Sequence, residues 1–212
     1  SAATDESLRS LAEQSLALCR ATPDPEGIAW SLYDLGHLAF MQGELAQADP
    51  LLAESLALFR DQGNEYGCQR ALISLGHTAR VQGQVAQATA WYRESFMMWS
   101  PMPYSHEAVS ALEGLAGLAG VQGRAEHGAR LFGVAETLRE SLGLLLPPVA
   151  HTDYDRDVAA VRAQLDEATF VASWGAGRTL SLEQAITEAL RVVPEAQPVA
   201  EALGQVPQPA SA

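Results

Sequence analysis

Apolar residues recur at helical spacing through most of the chain. Between Gly27 and Gln42, the residues Ile28, Leu32, Leu35 and Leu38 fall on one side of a helix. Gly43 follows, where a left-handed C-cap glycine would end that helix. From Leu45 to Gln62, Ala48, Leu52, Leu56 and Phe59 make a second stripe, closed by Gly63. The pattern returns as a helix from about Tyr66 to Gln82, a turn at Gly83, and a helix to about Trp99, where Ser100-Pro101-Met102-Pro103 breaks the chain. A third pair spans about Ser105 to Leu142. Ahead of these, Glu6 to Arg20 reads as the second helix of a pair whose first helix is missing. The chain also opens Ser-Ala-Ala, and the expectation is a fragment of a larger protein.

The three pairs are copies of one unit. Gln42-Gly43, Gln82-Gly83 and Gln122-Gly123 recur at offsets of 82 − 42 = 40 and 122 − 82 = 40. Leu35-Gly36-His37 returns as Leu75-Gly76-His77, and Glu54-Ser55-Leu56 as Glu94-Ser95-Phe96. One period earlier, Ser15-Leu16-Ala17-Leu18 matches Ser55-Leu56-Ala57-Leu58. A lone amphipathic helix has no outlet for its apolar stripe, whereas stacked hairpins bury it, and an all-α solenoid follows. Gly36, Gly76 and Ala116 stand where the helices of a unit should approach most closely, with Ala48, Ala88 and Gly128 opposite. The expected organisation is a half repeat over 6–26, repeats over 28–67, 68–107 and 108–147 (together 1–148), a helical cap over 149–192, and a tail over 193–212.

The cap carries its own signals. Asp153 to Leu165 reads as a helix with Val158, Val161 and Leu165 apolar, outside the repeat register. A second short helix, about Asp166 to Trp174, should stop at Gly175-Ala176-Gly177. Ser181 with Gln184 is a capping-box pattern, opening a helix with Leu182, Ala185, Ile186 and Leu190 on one stripe. Pro194 to Ala212 is rich in Pro and Ala, the composition of a tail without structure of its own.

The spacing Leu35-Gly36, Ala39, Ala48, Leu52, Ser55, and again Leu75-Gly76, Ala79, Ala88, Tyr92, Ser95, resembles the tetratricopeptide (TPR) pattern. The 40-residue period exceeds the usual TPR length of about 34. It is similar to the longer variant in large bacterial ATPase-type regulators of the LuxR, AfsR and maltose-regulator kind. In those, a leucine-glycine, a Gln-Gly turn and an Ala-to-Leu segment like Ala48 through Leu58 are common. Arg130-Leu131-Phe132-Gly133, Pro147-Pro148, Tyr154 and Ser181-Leu182-Glu183-Gln184-Ala185 also resemble their C-terminal ends. The resemblance implies a right-handed superhelix of antiparallel hairpins and a non-catalytic binding role.

Composition narrows the partners. Of 212 residues, 13 are basic and 26 acidic, a net charge of −13. That charge repels phosphate backbones and anionic lipid, so direct nucleic-acid binding by these residues is not expected. No apolar run reaches the length of a membrane span, and no basic-then-apolar leader opens the chain. The two cysteines, Cys19 and Cys68, form no disulfide framework, and a cytoplasmic location is the expectation. Both align with apolar positions in sister units and read as buried core thiols.

Little in the chain points to catalysis. No phosphate loop, nucleophile elbow or zinc-helix motif is present. Gly114, Gly117 and Gly120 fall in a helical register and read as sites of close packing. His37 and His77 occupy one repeat position, about 10 Å apart in packed helices, too far for shared metal ligation. They read as groove-facing polar residues, and His106 and His127 as solvated ones. The acidic run from His151 to Asp157 lacks the glycine and terminal Glu of a calcium loop, and acids opening a helix suit its dipole. No enzyme activity, metal or cofactor is expected.

The TPR resemblance implies which residues face the concave groove. In the first unit these are Trp30, Tyr33, His37, Phe40 and Met41. In the second they are Arg70, Ile73, His77, Arg80 and Val81. In the third they are Ser110, Glu113, Gly117, Gly120 and Val121, so small that the groove should be widest there. An aromatic and apolar set beside a basic one suits an extended peptide or partner protein with an apolar anchor and an acidic group. Two other readings stay open. Trp30, Tyr33 and Phe40 could pack against a missing repeat or a second copy, giving a homodimer through an exposed end or the groove. Alternatively, a pocket near Trp30, Tyr33 and His37 could sense a small effector.

Overall fold

The computed structural model describes residues 2–22, 24–98, 106–144 and 148–191. They form ten helices and, among the described residues, no strand. The helices are α1 (Ala2–Ala21), α2 (Pro25–Met41), α3 (Leu45–Asp61), α4 (Glu65–Val81) and α5 (Val85–Met97), then α6 (His106–Val121), α7 (Ala125–Ser141), α8 (Pro148–Arg162), α9 (Glu167–Arg178) and α10 (Leu182–Leu190). The helices α2/α3, α4/α5 and α6/α7 pack as hairpins, and α1 lies on α2 as α3 lies on α4. The architecture is a TPR-like helical-repeat solenoid.

Local chemistry sets the boundaries. Asp24 caps α2 by accepting from the Gly27 N–H at 2.9 Å, and Asn64 caps α4 by accepting from the Gly67 N–H at 2.8 Å. The turn glycines Gly43, Gly63, Gly83 and Gly123 have φ of 77°, 65°, 74° and 73°, a left-handed region that a side chain would strain. At Gly76 an added Cβ would meet the Tyr92 ring at 2.6 Å, so only glycine lets α4 and α5 close. Two apolar cores result. One joins α2, α3 and α4 around Leu52, Phe59 and Leu72; the other runs from α4 through α7 into the cap around Tyr92, Phe132 and Val161.

The C-terminal helices depart from expectation. α8 begins at Pro148, where a proline in the first turn needs no N–H partner, and ends 41 residues after α6 (162 − 121). It therefore keeps nearly the repeat spacing, and it packs on α6 as α6 packs on α4. α9 does not stop at Gly175-Ala176-Gly177 but runs through to Arg178. The reason is a close antiparallel approach to α7. A Cβ on Gly177 would strike the Arg130 carbonyl, and one on Gly133 the Trp174 carbonyl. Those glycines are contact points inside a helix rather than its end. α10 opens with the expected capping box between Ser181 and Gln184. The expectations for Ser100 to Pro103, for the side chains of His151 to Asp153 and Leu182, and for the tail fall outside the described residues.

Candidate functional site

The candidate site is built by two neighbouring first helices. On α2, Trp30, Tyr33, His37 and Phe40 follow one another at three- and four-residue steps, so they share a face. On α4, Tyr66, Arg70, Ile73, His77 and Arg80 do the same one period on. The rings make a continuous ladder. Trp30 leans edge-on against Phe59 at 4.7 Å and against Tyr33 at 5.9 Å. Tyr33 stacks on His37 at 5.8 Å and 7°. His37 reaches Phe40 at 6.4 Å, and Phe40 stacks on His77 at 6.1 Å. His77 ends the ladder edge-on to Tyr92 at 5.4 Å.

Arg70 sits on this ladder. Its guanidinium lies 4.8 Å from the Tyr33 ring centroid and 5.8 Å from those of Trp30 and Tyr66, within cation–π range of all three. Glu107 approaches it only to 3.6 Å, and the Arg70 side chain keeps 33% exposure. Its buried Nε has no hydrogen-bond partner among the described residues. Burial holds the nearby Asp34 carboxyl above its ordinary value despite Arg70. Burial, and then Arg70, hold the His37 imidazole below its own.

Arg80 is occupied differently. It pairs with Asp157 of α8 at 2.5 Å, with both side chains largely buried at 17% and 16% exposure. His77 bonds on both ring nitrogens, to the Tyr92 hydroxyl at 2.7 Å and the Ser110 hydroxyl at 2.8 Å. Burial, with the Arg80 charge beside it, pushes its pKa down to about 3, so the imidazole is neutral at physiological pH. Burial also pushes the Tyr92 phenol above its ordinary value. The pair is a neutral strut between α4, α5 and α6, with no proton to exchange near neutrality.

Of the residues expected to line the groove, the structure brings Trp30, Tyr33, His37, Phe40, Arg70 and His77 into one ladder. Tyr33 is its floor, only 4% exposed beneath Arg70. Ile73, at 7%, belongs to the core because α6 covers that part of α4. Met41 is 54% exposed and Val81 53%; both lie at helix ends beside the ladder and not within it. The third unit offers no wide groove: Gly117 and Gly120 seat α8, where their added Cβ atoms would meet Asp157 at 2.8 Å and Val161 at 2.7 Å.

Several participants were missed. Tyr66 stands four residues before Arg70, one helical turn away, and that spacing was a usable signal. Asp157 lies 40 residues after Gly117 (157 − 117 = 40); the repeat would have found it had the register been carried past Pro148. The acidic run thus contributes a specific ion pair rather than favouring the helix dipole, because α8 starts at Pro148 and has no acidic residue in its first turn. His127, expected to be solvated, is 6% exposed. Its Nδ1 lies 3.0 Å from Glu188, which also accepts from Arg130 Nε at 2.8 Å. Burial opposes ionisation of Glu188, but Arg130 and His127 outweigh it and hold the carboxyl below its ordinary value. Burial lowers the His127 pKa, and its Nε2 has no partner among the described residues. Cys68 is buried as expected, whereas Cys19 is only half-buried. Among the described residues, no group of three His, Cys, Asp or Glu could hold a metal ion, and no helix is long and apolar enough to cross a membrane.

Residues 6–61 match the tetratricopeptide repeat family. No curated protein matches the chain. The match covers α1 to α3 and supports a tetratricopeptide-like repeat domain, in agreement with the hairpin stacking seen beyond it.

Proposed function

We propose that the chain is a protein–protein interaction scaffold whose α2–α4 face binds a peptide or partner segment presenting a carboxylate next to an apolar side chain. Tetratricopeptide repeats generally mediate protein–protein interaction, and this reading places the contact on one patch. The observation that carries it is Arg70: a guanidinium fixed over three aromatic rings, one-third exposed, paired loosely with Glu107 at 3.6 Å and lying near Asp34. A planar cation held in this way loses little freedom on pairing with a carboxylate. Exposed Tyr66, beneath Arg70, supplies adjoining apolar surface. Arg80 is not assigned to the partner, because Asp157 already neutralises it.

The test is binding of a set of synthetic peptides with acidic C-termini. Arg70→Ala should weaken the tightest binder by about 10- to 100-fold, the range of a charge-assisted hydrogen bond. Arg70→Lys, which keeps the charge but not the planar fork, should recover only part of it. Equal affinity for wild type and Arg70→Ala would remove this face from the function.

The same reading sets the chain in a cytoplasmic bacterial signalling or transcriptional regulator without catalysis of its own. The long-period motifs Leu35-Gly36, Gln42-Gly43 and Ala48 to Leu58 support that setting. A gene encoding no nucleotide-binding or DNA-binding domain beside this segment would refute it. Self-association is supported by a separate feature, the leucines Leu8, Leu11 and Leu18 standing exposed on α1.

A further inference from the structure

A cavity of about 350 Å³ lies between α5, α6, α7, α9 and α10. Its walls are Phe96, Leu112, Val134 and Leu138, closed on the far side by Ala185 and Ile186. The void has a structural origin. α5 is 13 residues long where α3 and α7 have 17, and α10 bridges α5 and α7. α10 turns its two smallest residues inward: Ala185 and Ala189 are 3% and 1% exposed. Alanines facing a wall of larger residues leave space that no side chain among the described residues fills. The space opens to solvent on one side, and its volume falls in the size range of small-molecule sites.

The lining defines what would fit. None of the described residues that line the cavity is charged. The closest cation in sequence, Arg178, is held by Glu136 and Glu140. Three hydroxyls face the space. Thr137 Oγ1 donates to the Gly133 carbonyl at 3.2 Å, and Ser141 Oγ donates to the Leu138 carbonyl at 2.8 Å. Ser181 Oγ accepts from the Gln184 N–H. Two of the three protons are therefore committed, while the oxygens keep lone pairs. Such a site takes an apolar body with a hydrogen-bond donor and rejects an anion, whose charge would go unpaired.

We propose that this cavity binds an uncharged, mainly apolar small molecule bearing a hydroxyl or N–H group, independently of the peptide face. A molecule seated there touches α5, α7 and α10 together, so occupancy would tie the cap to the last repeat.

The experiment uses the whole chain and two probes of one chain length, 1-octanol and octanoate, at submillimolar concentration. The expected result is a saturable rise in Tm with octanol and at least a tenfold weaker response to octanoate. Ala185→Leu, which fills the void, should fold with an unchanged or higher Tm and lose the octanol response. Arg70→Ala should keep it, which separates this site from the peptide face. Ile186→Trp places an indole at the half-buried edge, and its emission should shift on octanol addition. That readout decides the matter even if Ala185→Leu does not fold. Absence of both the Tm and emission responses overturns the proposal, as does an octanol response unchanged in a folded Ala185→Leu, or equal responses to octanol and octanoate.

Discussion

His77 shows how one residue couples packing to pH. In the folded chain its pKa lies at about 3, against an ordinary value of 6.5. Arg80, His37 and His106 lie near enough to act on it, and Tyr92 and Ser110 bond its two nitrogens. On unfolding it takes up a proton at any pH below about 6.5, whereas the folded form does not until about pH 3. The unfolded state then binds more protons throughout that window. The contribution is complete above pH 6.5 and shrinks as the pH falls toward 3, by ~1.4 kcal/mol per pH unit. His77→Gln keeps a donor and an acceptor at the site but does not titrate. Urea unfolding should therefore show the loss of stability between pH 6.5 and 5 reduced by about 2 kcal/mol relative to wild type. His37 and His127, whose pKa values are also lowered, would keep the remaining slope. An unchanged slope in His77→Gln would mean that the imidazole is already charged in the fold.

At the scale of the element, the repeat made the hairpins legible because each boundary rests on local chemistry: a glycine turn, a cap, an apolar stripe. The same logic misplaced the end of α9, where glycine serves contact with α7 and not chain reversal. It also missed α8 as a continuation of the first-helix layer, since the helix keeps the spacing but exchanges the small residue of its sisters for Arg156 (156 − 116 = 40). α1 presents the converse case. Its sequence matches α3, yet Leu18 is 69% exposed where its sister Leu58 packs against the core. Leu8 and Leu11 extend that apolar strip. Arg9 holds the helix to Glu44 at 2.5 Å, so the strip is presented on a fixed helix. A second copy would bury it. Sedimentation should show a dimer at tens of micromolar that Leu18→Glu converts to monomer. A wild-type chain that remains monomeric over that range excludes pairing through α1.

For the molecule as a whole, the solenoid was legible because it follows from one period, and the family resemblance pointed to Trp30, Tyr33, His37, Phe40, Arg70 and His77 of the aromatic face but not to Tyr66. The α8 carboxylate that neutralises Arg80 stands in the repeat register, beyond the Pro147-Pro148 break that hides it, whereas the cavity beside α10 depends on contacts between segments with no common register. The two cores carry this division into the energetics. Phe59 is fully buried between Trp30 and Gly67 in the first core, while Phe132 anchors the second against Tyr154 and Trp174. They adjoin across α4 and α5, with Trp91 touching both. In a repeat array, stability is close to a sum of units and nearest-neighbour interfaces. Phe59→Ala should remove about 3–5 kcal/mol from the first core and transmit only part of that to the second. Native-state hydrogen exchange reads the difference directly. Amides of α2, α3 and α4 should lose most of their protection, and those of α6, α7 and α9 should retain theirs. Uniform loss across all helices would show instead that α4 and α5 bind the two cores into one cooperative unit. The peptide face and the cavity would then report on the same folding equilibrium rather than on separate halves of it.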